Sequence, residues 1–202
     1  MEVSKIRLSP SEKEMVSSAE IILTKNSIIK KAIGVLEMVQ EEVGLDAYKF
    51  LSDVFAISPK ISKGENYEGL PYAILDFPRV SDKENFCFIR TMFWWGNFFS
   101  STLQVSGSYK NRLERKSREH YESIRTKNYF INISTDPWVH HFGADNYKLV
   151  SELSLQEFQK LVTESEFIKI AAKFPLEDWE NAATQLSESW RQLISLISEP
   201  VE

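Results

Sequence analysis

Residues 86–107 read FCFIRTMFWWGNFFSSTLQVSG, and this segment restricts the fold more than any other. It is dense in aromatic and β-branched residues, which suit the pleated, half-buried surface of a sheet. Gly96-Asn97 lies near its middle and fits a two-residue type II′ hairpin turn, which wants Gly at its first central position. With that turn, Trp95 opposes Phe98 and Trp94 opposes Phe99. One face then carries Phe86, Phe88, Arg90, Met92 and Trp94 with Phe99, Ser101, Leu103 and Val105, apolar enough to be the core. The other carries Cys87, Ile89, Thr91, Phe93 and Trp95 with Phe98, Ser100, Thr102 and Gln104, aromatic at the turn end and polar beyond it. Trp94 is therefore expected to be structural and Trp95 to face a ligand or partner. A one-residue slip would exchange the faces, because side chains alternate along a strand.

The flanks read as helices. Ser9, Pro10 and Glu12 make a capping box with proline at the first helical position, which starts a helix expected over Pro10 to Leu23. A second begins near Asn26 or Ser27, with Ile29, Ala32, Ile33, Leu36, Val39 and Val43 on one stripe and Gly44 as its C′ residue. Asp46 suits the cap of a short third helix, AYKFLSDVFA, ending before Ser58-Pro59.

PYAILDFP reads as a short strand confined by Pro71 and Pro78. YFINIS and YKLVSEL are two more, separated by the loop TDPWVHHFGADN. Residues 110–127 are polar and read as a helix or a long exposed connection. The C-terminal quarter is expected to be helical. It has capping boxes at Ser154 with Glu157 and at Thr163 with Glu166, an interruption at Pro175, and a last helix burying Trp179, Ala182, Ala183, Leu186, Trp190, Leu193, Ile194 and Ile197.

Helices, then antiparallel strands, then helices make an α+β fold, because the two kinds of element do not alternate. The expected arrangement is one domain over 1–202. It is helical over 9–57, a sheet region over 70–153 forming a meander with a central aromatic hairpin, and helical again over 154–198. A chain of 202 residues, 43% of them hydrophobic, is long enough for one full core.

Composition excludes several classes. The net charge of -5 argues mildly against a dedicated nucleic-acid binder. A single cysteine, Cys87, cannot form an intrachain disulfide or a cysteine-based zinc cluster. No apolar run of about 18 residues is present to span a membrane. No secretory h-region follows Met1, so the expected compartment is the cytoplasm. Walker A, GxGxxG, GxSxG and kinase signatures are missing.

Three constellations carry candidate chemistry. His140 and His141 stand close to Asp136 and Asp145, the residue types of a general base or a metal site. Their spacing matches no metal-ligand framework, so neither a metal nor a cofactor is expected. Arg90, on an otherwise apolar strand, needs a carboxylate partner. Asp76 is the obvious one, with Glu84 another; alternatively Arg90 and Arg79 clamp an anion. The stretch 110–127 holds seven cations against three glutamates. Phosphate contact is one reading of it, and a solvated helix with i,i+4 pairs is the other.

The expected function is a non-catalytic ligand-binding or protein-interaction module using the aromatic sheet face. Arg90, Arg79, Trp95, Phe98, Thr91 and Gln104 would contact a small molecule or a protein partner, a second copy of the chain included. An enzyme centred on residues 136–145, metal-assisted or not, is the alternative. Phosphate or nucleic-acid binding through residues 110–127 is a further one.

Overall fold

A computed structural model describes residues 6–47, 57–82 and 84–198. Ser9 opens helix α1, Pro10–Ser17, with the expected capping box: its N–H donates to Glu12 at 2.7 Å and its hydroxyl accepts from the Glu12 N–H at 3.3 Å. The helix stops earlier than expected, because Ser18 is extended. Helix α2 then runs unbroken over Ala19–Ala47. Asn26-Ser27 does not interrupt it, and Gly44 lies inside it rather than past its end. Propensity is a weak prior here, outweighed by the stripe from Ile29 to Val43 that packs into the core. The third helix expected over AYKFLSDVFA falls, apart from Ala47, outside the described residues.

Among the described residues, seven strands form one antiparallel sheet in the order β1-β2-β3-β4-β7-β5-β6. They are β1 (Lys60–Tyr67), β2 (Leu70–Ser81), β3 (Phe86–Trp94), β4 (Phe98–Ser106), β5 (Phe130–Asn132), β6 (Tyr147–Leu149) and β7 (Phe167–Pro175). β1 was not expected; its polar sequence KISKGENY lacks the apolar alternation of an inner strand and suits an edge. β2 continues through Pro78, whose missing N–H is accommodated where the ladder shifts register between Asp76 and Arg79.

The hairpin turn differs from expectation by one residue. Trp94 pairs with Phe98 and Phe93 with Phe99, so Trp95, Gly96 and Asn97 form a three-residue loop. Gly96 has φ +70° and the Asn97 N–H donates to the Trp94 carbonyl at 3.1 Å. Gly96 thus takes the third position of a turn, where type II geometry demands positive φ, and not the second. The slip exchanges the partners of β3. Cys87, Ile89 and Phe93 share a face with Phe99, Leu103 and Val105, and this is the main core. Arg90, Met92 and Trp94 share the opposite face with Phe98, Ser100, Thr102 and Gln104.

β7 is the other correction. The sequence FIKIAAKFP was expected in a helical quarter, with Thr163 and Glu166 capping; it is instead an inner strand between β4 and β5. Both of its faces are covered, which removes the alternation that marks a half-buried strand. Thr163 lies inside helix α5, Leu155–Glu164, which does begin at the expected Ser154–Glu157 box.

The remaining helices are α3 (Gly107–Arg115), α4 (Ser117–Thr126) and α6 (Ala182–Ser195). Helices α2 and α6 lie across one face of the sheet, hereafter the helix face, and α3, α4 and α5 close the same core with Leu113, Ile124, Phe158 and Val162. Trp190 of α6 is fully buried, stacks on Phe77 at 6.0 Å and donates its indole N–H to the Phe77 carbonyl at 2.6 Å. Arg191 ties α6 to α2 through Glu42 and Asp46. Among the described residues no helix is long and apolar enough to cross a membrane.

Candidate functional site

The opposite face of the sheet, hereafter the loop face, is covered by the loop over residues 133–146 in place of helices. That loop is fastened at several points. The His140 N–H donates to the Tyr67 hydroxyl at 2.7 Å. The Asn146 side-chain amide donates to the carbonyls of Val139 and His141 at 3.3 and 2.6 Å. Lys169 donates to the Val139 carbonyl. Phe142 stacks on Tyr147 at 4.7 Å and meets Phe98 and Phe130 edge-on.

Cross-strand pairing sets Asp76, Arg90 and Thr102 in one row on three neighbouring strands. The Arg90 guanidinium holds Asp76 with two parallel bonds, Nε to Oδ1 at 2.8 Å and Nη2 to Oδ2 at 2.9 Å. This is the partner expected for it. Its Nη1 lies 3.0 Å from His140 Nε2. Burial first, then the charges of Arg90 and Lys169, push the His140 pKa down to about 3. The ring is neutral at ordinary pH. Nε2 must accept from the guanidinium, which places the proton on Nδ1.

Beside this array is a recess of about 280 Å³, walled by Tyr67, Tyr72 and Trp138 and floored by Ile74, Met92, Arg90 and His140. Tyr67 organises it by meeting Tyr72 and Trp94 edge-on at 6.2 and 5.1 Å. Trp94 is buried as expected, but with Ile74 and Met92 on the loop face rather than with Phe99 and Leu103.

Further along the same face, Gln104 of β4 stands opposite Lys169 of β7. Lys169 is fully buried. Burial pushes its pKa down to about 8, the Asp136 charge opposing the shift and that of Arg90 adding to it. Its Nζ stands 5.1 Å from the centre of the Tyr147 ring. Gln104 Nε2, Tyr147 Oη and Asn146 Oδ1 are buried without hydrogen-bond partners.

The structure separates the other sequence candidates. His141 turns away from His140; its Nδ1 accepts from the Gly143 N–H at 3.1 Å and its Nε2 lies 3.8 Å from the exposed Asp145 carboxylate. Asp136 caps a turn by accepting from the Trp138 N–H at 2.8 Å. The four residues of the His/Asp constellation therefore do not share one centre. Among the described residues no group of three or more His, Cys, Asp or Glu side chains could hold a metal ion. Arg79 donates to the Ser58 carbonyl at 2.7 Å and leaves the clamp to Arg90.

The expected contact set divides the same way. Phe98 and Gln104 lie on the loop face with Arg90, whereas Thr91 points to the helix face opposite Ser101. Trp95, in the turn, lines a separate apolar groove of about 590 Å³ with Ile21, Ile22, Ile28, Leu70 and Pro71. Cys87 is buried in the main core.

Residues 110–127 fall largely on the amphipathic helices α3 and α4, whose Tyr109, Leu113, Tyr121 and Ile124 enter the core. Four of the seven cations make these contacts within the chain: Lys110 on the Thr163 carbonyl, Lys116 on the Ser198 carbonyl, Lys127 on Gln192 and Arg125 on Glu122.

Sequence reasoning missed Tyr67, Tyr72, Trp138, Lys169 and Tyr147. A signal was present for Lys169, a lone lysine inside the apolar run FIKIAA. No protein-family model matches the chain, and no similar protein was found among the curated proteins or the solved structures.

Proposed function

We propose that the protein binds a small, flat ligand in the loop-face recess and carries out no reaction on it. The observation that supports this is the convergence of Tyr67, Tyr72 and Trp138 around an anchored guanidinium and a neutral imidazole. A concave, mostly apolar site with few oriented polar groups is the usual form of a ligand pocket. At about 280 Å³ the recess suits one ring with a short substituent, because drug-sized ligands need about 300–1,000 Å³. Asp76 neutralises Arg90, so the ligand's polar edge is neutral or singly charged. Three of the five guanidinium N–H groups go to Asp76 and His140, which leaves two for that edge.

A binding role fits His140 better than a catalytic one. With its pKa at about 3, the ring neither donates nor takes a proton readily near neutral pH. The internal use of Lys110, Lys116 and Lys127 weighs against a phosphate-binding role for the stretch 110–127.

The test is a ligand-observed NMR screen of single-ring acids, phenols and amides against wild type and Trp138→Ala. Trp138 is exposed, so its removal leaves the fold intact. Hits are expected to bind the variant at least tenfold more weakly. Equal binding to both proteins, or no hits at all, would sink the reading.

A further inference from the structure

Lys169 is fully buried, yet among the described residues no carboxylate pairs with it. A buried ammonium without a counter-charge is costly. Arg90, on the same face, is matched by Asp76, and Lys173 is exposed. Asp136, the acid nearest in influence to Lys169, is an exposed loop residue. The loop face thus carries one more buried positive charge than negative.

The donors around that charge are also unspent. Lys169 gives one N–H to the Val139 carbonyl and keeps two. Gln104 lies directly across the β4–β7 ladder, which puts its side chain beside that of Lys169, and its Nε2 has no partner. Tyr147 Oη has none either. Burial pushes the phenol's pKa up and the nearby Thr102 hydroxyl partly offsets that rise, but the two do not meet in hydrogen-bond geometry. Gln104 and Tyr147 are 3% and 4% exposed, so bulk water does not reach these donors freely.

We propose that Lys169, Gln104 and Tyr147 form an internal subsite for a compact monovalent anion, of halide or formate size, beneath the loop over residues 133–146. Such an anion supplies the missing counter-charge and accepts from all three donors at once. The subsite is separate from the recess reading and stands or falls independently of it.

The experiment is a set of thermal melts in which sodium bromide or sodium formate replaces sodium gluconate at constant ionic strength. A saturable rise of about 3–6 °C at ten times Kd is expected with at least one of the two anions. Tyr147→Phe keeps the ring and removes one donor, so it is expected to weaken the anion about tenfold or more while still folding. Trp138→Ala, which alters only the recess, is expected to leave the shift unchanged. A bromide-soaked crystal is expected to show anomalous density between Lys169 Nζ and Tyr147 Oη. Melts indifferent to both anions, or an unchanged shift in Tyr147→Phe, would overturn the proposal. So would density that refines as water alone, bridging these donors to Asn146 Oδ1.

Discussion

On the helix face, Ile89, Leu103, Ile170 and Ile131 stand in one row across β3, β4, β7 and β5, all fully buried. One residue along, the loop face sets Asp76, Arg90 and Thr102 in the neighbouring row, with Gln104 and Lys169 beyond. The same strands build both, and only the parity of the residue differs. The helix face needs volume and little orientation, since apolar burial is non-directional. The loop face needs each polar group met individually. Asp76, Arg90 and His140 meet one another, while Gln104 Nε2, Tyr147 Oη and Asn146 Oδ1 do not. Orphaned atoms occur on the helix face too, at Thr91 Oγ1 and Ser101 Oγ, but those belong to small hydroxyls. One face therefore reads as the stabilising side of the sheet and the other as the side with chemical capacity.

Substitutions can break that contrast. The largest expected loss is on the helix side. Trp190→Ala empties a fully buried site and removes the indole bond to the Phe77 carbonyl, for about 3–5 kcal/mol in urea denaturation. Next comes Asp76→Leu, which leaves Arg90 without its carboxylate. A buried pair broken on one side costs about 3–5 kcal/mol, and the partial exposure of this one, 19% and 12%, places it near the low end. The double variant Asp76→Leu with Arg90→Met is expected to recover most of that loss. Additive losses in the cycle would mean that the two groups are not coupled and that the loop face is wet rather than buried.

The two adjacent tryptophans sharpen the contrast. Trp94→Ala is expected to cost about 3 kcal/mol, because the ring is 5% exposed against Ile74 and Met92. Trp95→Ala is expected to cost about 1–2 kcal/mol, since that ring is only half-buried at the turn. Equal losses would show that the turn end is packed as tightly as the interior.

The most gradual effect is the dependence on pH. The His140 pKa is lower in the folded chain, about 3, than in the unfolded chain, about 6.5, so between these values the unfolded state binds the extra proton. Stability from this group is fully present above about pH 6.5 and is lost as the pH falls towards 3, by at most about 1.4 kcal/mol per pH unit. His140→Gln is expected to flatten that part of the profile. The same sign holds for Lys169: its contribution is complete above about pH 10.5 and is lost as the pH falls to about 8. Lys169→Met is expected to remove the rise in stability between those values. A melt series for each variant over its own window checks the two slopes.

What the sequence determined by itself came from short-range physics. The Ser9 and Ser154 capping boxes fixed two helix starts within four residues of chain. The stripe from Ile29 to Val43 announced the buried face of α2, and an arginine in an apolar strand demanded a carboxylate, found at Asp76. From these and the aromatic hairpin the α+β class followed. The tertiary structure alone decided the rest. Gly96 admits positive φ at either central turn position, and only the pairing of Trp94 with Phe98 chose between them and so placed Arg90 opposite the core. FIKIAA became a strand because β4 and β5 flank it, and neither neighbour is near it in sequence. The candidate site joins residues from 67 to 169 through such pairings. A strand's register and its exposed face are set by partners far along the chain, and no local pattern encodes where those partners will lie.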